Sequence, residues 1–309
     1  MSPTDCVAAL DVGGTTIKGA GVDRQATVRS RLRRATPSVT ADPGEVVAAI
    51  LTTVDELRAA APRGAGVRAV GVVVPGIVDE RRGLAVYSEN VGWRNLPVRS
   101  LVERAAGLPV GFGHDVRAGT LAEWRLGAGR GLQDLVFVPI GTGVSAGIIA
   151  RGILIGGDGF AGEIGHVDVG HGEPCACGGR GCVEAIASAA AIARRYAAAS
   201  GQPVAEARDV AERLAAGDPA ARRVGSEATG ALALALAWTS AVLAPQAIVL
   251  GGGLARSGGL LFEPVGQALD RHLGMVRRPR LVPATLEDEA GFLGAALLAW
   301  EALERAGTL

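Results

Sequence analysis

Cysteine is scarce, with four in 309 residues. A disulfide-built secreted scaffold is short and dense in cysteine, so that class is excluded. Net charge is absent, because 31 basic residues balance 31 acidic ones. That removes any broad electrostatic claim on nucleic acid or an anionic membrane. The first six residues show no basic segment leading into an apolar stretch, so no signal peptide is expected. A collagen period is also missing, although 46 Gly and 15 Pro make up about a fifth of the chain. The excess glycine belongs to turns and close backbone approaches. Lysine occurs once, as Lys18, with Arg carrying nearly all the positive charge, and no function is drawn from it. One uncharged run, 228–255, calls for a membrane test. Pro245 and Gln246 interrupt it, Thr239 and Ser240 lie inside it, and Gly251, Gly252 and Gly253 close it. It reads as a buried Ala/Leu helix, a strand over 247–250 and a turn.

What is present suits a globular chain. At 49% hydrophobic and 20% charged it can bury a sizeable core and is not disordered. Its length gives a prior of about two domains. A soluble, cytoplasmic protein is expected. The opening reads as a strand over 7–12, a Gly-Thr turn over 13–16 and a strand over 17–22. A helix over 44–61 follows, with Val46, Val47, Ile50, Val54 and Leu57 apolar. A buried strand over 69–74 stops at Pro75-Gly76. A short helix over 101–106, a strand over 110–112 and a helix over 118–126 continue the alternation, which predicts an α/β fold with a partly parallel sheet. Then the opening recurs, as a strand over 135–140, a turn at Gly141-Thr142-Gly143 and a strand-like run over 144–149. Two such units, about 130 residues apart, are a weak duplication. They predict two related α/β lobes facing a cleft, or else two ordinary glycine hairpins. Beyond Ser188 helices are expected over 189–199, 210–214, from 231 onward and over 292–304.

Three motifs carry chemistry. In Asp11-Val12-Gly13-Gly14-Thr15-Thr16-Ile17-Lys18, glycines admit a phosphate to the backbone, and amide and hydroxyl groups can donate to it. Asp11 at the strand end could hold Mg²⁺. No Walker A pattern occurs. Gly141 to Ala146 fits G-x-G-x-x-A, but a dinucleotide site needs a helix directly after the turn, and here a strand follows. It is read as a second phosphate hairpin. The strongest local signal is His166, Cys175, Cys177 and Cys182. Three thiolates and an imidazole satisfy tetrahedral Zn²⁺ with no open position, which makes the site structural. The alternative is three reduced cysteines in a glycine-rich loop, and His171 is a rival fourth ligand. Cys6, in an apolar strand, reads as core. Asp115 lies between a strand and a helix, where α/β enzymes place chemistry, but where a lone Asp is more often a cap. Glu163 and Glu184 flank the cysteine loop and could accept hydrogen bonds from a polyol.

Together these pieces resemble the ROK family of sugar kinases and related repressors, over nearly the whole chain. Asp11 to Lys18 resembles the first phosphate loop, and Gly141 to Gly147 the second. Val74-Pro75-Gly76 and Glu89-Asn90-Val91-Gly92-Trp93 are similar to sugar-cleft segments. Glu163-Ile164-Gly165-His166 is similar to E-x-G-H, and the stretch from Cys175 to Glu184 to C-x-C-G-x-x-G-C-x-E. Val249-Leu250-Gly251-Gly252-Gly253 resembles the adenosine-side loop.

The resemblance implies a two-lobed actin-like ATPase fold of duplicated ribonuclease-H-like units. It implies a smaller lobe over 1–116, to which a C-terminal helix of about 294–309 returns, and a larger lobe over 117–309. It implies ATP-dependent phosphorylation of a hexose 6-hydroxyl, with Mg²⁺ and structural zinc as cofactors. Asp115 would be the general base. Pro75, Gly76, Asn90, His114, Asp115, Glu163, His166 and Glu184 would bind sugar. Asp11, Gly13, Gly14, Thr15, Thr16, Lys18, Gly141, Thr142, Gly143, Gly251, Gly252 and Gly253 would bind the nucleotide and its phosphates, with Asp11 also at Mg²⁺. The zinc ligands would be His166, Cys175, Cys177 and Cys182. A homodimer or tetramer is expected, with no nucleic acid or membrane partner.

The substrate is glucose or an amino or N-acetylamino sugar, with kanosamine (3-amino-3-deoxyglucose) and N-acetylmannosamine as alternatives. A non-catalytic sugar-responsive regulator is disfavoured, since only ten residues precede Asp11 and such regulators carry a DNA-binding domain there. The family pattern has Asn-Asp where this chain has His114-Asp115. The change alters donor and acceptor geometry and predicts that His114 helps to select the sugar at ring position 3 or 4.

Overall fold

The computed structural model describes residues 4–38, 42–61 and 65–307, and the backbone but not the side chain of Asn90. The chain divides into two compact units.

The first unit opens with β1 (Cys6–Val12), β2 (Thr16–Asp23) and β3 (Val28–Ala35). Residues 6–10 of β1 are all buried, as a continuous apolar run predicts for a central strand. β3 alternates half-buried and exposed residues and is the edge, where its arginines oppose edge-to-edge pairing. Helix α1 (Pro43–Ala59) starts where the Asp42 carboxylate accepts from Gly44 N, with Pro43 in the first turn. Its buried stripe is Val46, Val47, Ile50, Thr53, Val54 and Leu57. Next come β4 (Val67–Val74) and a small antiparallel sheet of β5 (Ile77–Asp79), β6 (Leu84–Ser88) and β7 (Trp93–Leu96). Helix α2 (Val98–Ala106), β8 (Val110–His114) and α3 (Asp115–Arg125) follow.

The second unit contains β9 (Leu135–Pro139), β10 (Gly147–Ala150) and β11 (Ile153–Ile155). Its helices are α4 (Val183–Ala187), α5 (Ala189–Ser200), α6 (Ala207–Ala215) and α7 (Pro219–Leu243). Then come β12 (Ala247–Gly251), α8 (Gly252–Ala255), α9 (Gly259–Leu273) and β13 (Arg280–Pro283). By length and composition α7 could cross a membrane, but half of that window is buried. Val224, Ala228, Leu232 and Leu236 of α7 enter the same core as Ile192, Val210, Val265 and Leu269. The Ala/Leu run is thus a core helix.

Helix α10 (Ala290–Arg305) ends the fold and belongs to the first unit. It lies against the sheet so closely that a Cβ on Gly71 would sit 1.9 Å from Ala295 O. Only glycine permits that approach.

The two main sheets share one plan. The first is ordered β3-β2-β1-β4-β8 and the second β11-β10-β9-β12-β13. In each, three antiparallel strands joined by hairpins continue into two parallel ones. The repeated strand–turn–strand of the sequence is the start of each sheet. The first unit extends to Leu126, beyond the boundary at 116, because α3 is one continuous helix with Ala118 packed on Gly294 of α10. It also takes in Gly156–Phe160 and Asp288–Leu309.

Candidate functional site

The first unit brings together the first phosphate hairpin and Asp115. Asp11 is the penultimate residue of β1 and pairs with Lys18 of β2. The turn is tied by Gly13 N donating to Thr16 O at 3.0 Å, and Thr36 Oγ1 donates to Gly13 O at 2.6 Å. Burial, reinforced by the negative charges of Asp115 and Asp288, pushes the Asp11 carboxyl up to about 7, with Lys18 opposing. A group so disposed accepts a divalent cation readily, because the cation relieves both costs. Lys18 Nζ donates to Asp288 O at 3.5 Å.

Asp115 begins α3. Its Oδ1 accepts from Val116 N at 2.7 Å. Burial raises its pKa, against the pull of the Val116 amide and the Arg117 guanidinium. A carboxylate raised by burial is a better proton acceptor than one in water. His114 is buried and is the N-cap residue of α3, with Nδ1 accepting from Arg117 N at 3.4 Å. Burial, then the Arg117 charge, pushes its pKa down to about 3, so the ring is neutral. Pro75 and Gly76 form the turn from β4 into β5, with Gly76 packed on Tyr87 O. The Asn90 side chain lies outside the described residues.

The second unit holds the second hairpin, the cysteine loop and the glycine turn after β12. Gly141 N donates to Gly143 O at 3.0 Å, and β10 then runs antiparallel to β9. No helix follows the turn directly, so it is not a dinucleotide turn. Ile140 N donates to Gly251 O at 2.9 Å and Leu254 N to Ile140 O at 3.2 Å, so the two glycine turns lie side by side. A cavity of about 630 Å³ opens on Gly141, Thr142 and Gly253. Small residues of α5 and α6, among them Ala190, Ala193 and Ala211, leave the room, and Arg208 and Arg256 line it. Sequence reasoning missed these two arginines, which no motif contains.

Glu184, in α4, places Oε2 2.8 Å from Val144 N, from which it accepts. It therefore ties the cysteine loop to the second hairpin. Glu163 immediately precedes the helical turn Ile164–His166. Gly165 between them is obligatory, since a Cβ there would lie 1.9 Å from Val144 O.

His166, Cys175, Cys177 and Cys182 present ligand atoms all within 4.8 Å of one another, and all four cysteines of the chain are unpaired thiols. Cys177 Sγ lies 3.7 Å from Cys182 Sγ, and Cys175 Sγ lies 3.8 Å from His166 Nδ1. A tetrahedral zinc with bonds of about 2.3 Å to sulfur sets its ligands about 3.8 Å apart, so the residues fit that ion. Gly179 N–H pulls the Cys177 thiol down, whereas burial and its thiol neighbours push Cys182 up to about 12. His171 stands outside the cluster. Its Nδ1 accepts from Glu173 N at 3.1 Å, and its Nε2 lies 3.0 Å from Cys182 O. Among the described residues it is His166, not His171, that lies with the three thiols. Cys6 is buried in β1.

The ROK family model matches residues 7–302. The chain is 32% identical over 305 residues to a glucokinase of Thermotoga maritima, covering 93% of this chain and 95% of the relative. It is 34% identical over 300 residues to an N-acetylmannosamine kinase of Citrobacter koseri, covering 94% and 97%. Among solved structures, a ROK glucokinase of Streptomyces griseus in complex with glucose and AMPPNP superimposes with a TM-score of 0.81 at 32% identity, covering 96% of this chain and 99% of that one. The fold is α/β, of the actin-like ATPase type. On its sequence and its structure alike, this chain belongs to the ROK family.

Proposed function

We propose that this protein transfers the γ-phosphoryl group of ATP to the 6-hydroxyl of a hexose, either glucose or an amino or N-acetylamino sugar. The observation that carries the proposal is the placement of Asp115, a carboxylate raised by burial, in the same unit as the phosphate hairpin of Asp11. Similarity to sugar kinases over more than nine-tenths of the chain supports it.

Asp115 takes the proton of the sugar hydroxyl as that oxygen bonds to the γ-phosphorus. The bond to the β,γ-bridging oxygen breaks and ADP leaves. Phosphoryl transfer needs positioning and charge neutralisation more than covalent help from the protein. In the first unit the amides around Gly13 to Thr16 are candidate donors to phosphate; in the second, those around Gly141 to Gly143 are, and the cavity beside Gly253 is the candidate nucleoside pocket. Asp11 would hold Mg²⁺, which would supply charge neutralisation at the transferring phosphoryl group. Glu163, His166 and Glu184 accept or donate hydrogen bonds to ring hydroxyls, and the zinc loop fixes their backbone. Thiols that must stay reduced to hold zinc suit the cytoplasm.

The test is an ATP-coupled assay across glucose, mannose, N-acetylmannosamine, N-acetylglucosamine and 3-amino-3-deoxyglucose. Sugar-dependent ADP release with at least one of them is expected. Release at the same rate without sugar contradicts the proposal.

Asp11 also makes a stability prediction. Its folded-state pKa, about 7, lies above the unfolded value of about 3.9. Between those values the folded chain binds more protons, so its stability falls as pH rises, and the full cost is present above pH 7. Asp11→Asn removes that cost. It is expected to stabilise the ligand-free protein by about 1–3 kcal/mol at pH 8, with the gain shrinking toward pH 5, while phosphoryl transfer is lost. Urea denaturation at the two pH values measures this. A variant less stable than the parent at pH 8 contradicts it.

A further inference from the structure

His114 has both ring nitrogens directed at the protein. Nδ1 faces the Arg117 amide at 3.4 Å, and Nε2 lies 3.4 Å from Asp115 Oδ1. With Nδ1 as acceptor, the ring proton of the neutral form resides on Nε2, on the side of Asp115. Behind the ring, Arg117 is wholly buried. Its guanidinium donates to Glu80 Oε1 at 2.8 Å, Gly159 O at 3.3 Å and Val78 O at 3.4 Å. Glu80 Oε1 in turn accepts from His114 N at 3.2 Å. The ring is therefore clamped through its backbone by Glu80 and through its side chain by the first turn of α3. The buried arginine beside it disfavours any second proton.

One hydrogen bond and one longer contact thus meet at a single oxygen of the candidate base. Val116 N–H donates to Asp115 Oδ1 at 2.7 Å, and His114 Nε2 stands 3.4 Å from the same atom, longer than a formed hydrogen bond. Long catalytic hydrogen bonds in a substrate-free protein tighten in the complex. We propose that His114 is a positioning residue that acts through Asp115, fixing Oδ1 so that Oδ2 is the oxygen that takes the proton of the sugar. The proposal rests on the reading of Asp115 as the base. It gives His114 a task different from reading the sugar ring, the role that the sequence motif suggested.

The experiment is a double-mutant cycle with MgATP and, separately, glucose, N-acetylmannosamine and 3-amino-3-deoxyglucose. Asparagine can cap α3 with its amide oxygen but lacks the reach of the imidazole, so His114→Asn keeps the helix start and loses the second donor. In the parent, His114→Asn is expected to lower kcat about tenfold, by the same factor for every sugar turned over, with KM within about twofold. In the Asp115→Asn background the same change is expected to alter kcat by less than about twofold, because the oxygen it positions no longer serves as a base. An equal loss in both backgrounds, a change in the ratio between sugars, or a rise in KM at constant kcat overturns the proposal. Asp115→Asn by itself tests the base. If it keeps more than about a tenth of parental kcat, the base assignment fails, and this inference with it. Should His114→Asn not fold, His114→Gln carries the same cycle.

Discussion

Asp115→Asn is expected to lower kcat by about 10²–10⁴-fold while the KM for sugar stays within about tenfold. The carboxamide is nearly isosteric and still accepts from Val116 N, so the start of α3 persists. What disappears is the group that can take the proton. The effect falls on kcat because the proton moves only as the hydroxyl attacks, whereas the sugar is held by other contacts before that moment. Stopped-flow or coupled kinetics, with melting temperature as a control, measures it. A variant that retains more than about a tenth of kcat places the base elsewhere.

Cys177→Ser is expected to reduce bound zinc from about one ion per chain to well below that, and to lower kcat/KM for sugar by about tenfold or more. The link to catalysis is structural. Val169 N donates to Gly181 O and Val183 N to Val167 O, so the cysteine loop is stitched to the segment that follows His166. Glu184, two residues after Cys182, grips Val144 N of the second hairpin. Without the ion the thiols take protons in place of the metal, as the raised pKa of Cys182 implies, and the loop loses its common centre. Metal analysis of protein purified without chelator, together with sugar kinetics, provides the check. Absence of zinc in the parent removes the metal from the account. Zinc loss with unchanged KM and kcat separates the metal from the substrate site.

Much of the fold was legible where local signals agree. β1 and β9 are apolar runs closed by Gly-Thr turns, and α1 has a 3.6-residue stripe behind an Asp-Pro start. Elements escaped where those signals conflict. β3, the segment VRSRLRRA, looks too basic for a strand, yet as an edge it needs only one half-buried face. α9 carries Pro264 inside the helix, which breaks the pattern a sequence reading follows. β5, β6 and β7 are three to five residues long and of mixed polarity.

The site divides in the same way. Residues grouped in a motif, such as Cys175, Cys177 and Cys182, could be named from spacing alone. Groups assembled by tertiary packing could not. Glu80 and Arg117 meet behind His114 from 37 positions apart. The cavity walls of α5 and α6 are alanines with no signature of their own. The competition between His166 and His171 was a question of distance, which spacing does not carry.

The most direct test of phosphoryl transfer to a sugar 6-hydroxyl is a ³¹P NMR time course of the protein with MgATP and each sugar of the panel. The account predicts, with at least one sugar, a new phosphomonoester resonance coupled to the C6 methylene protons, growing in step with ADP and absent when Asp115→Asn replaces the parent. Growth of inorganic phosphate alone, or an ester coupled to a ring methine proton, would contradict it.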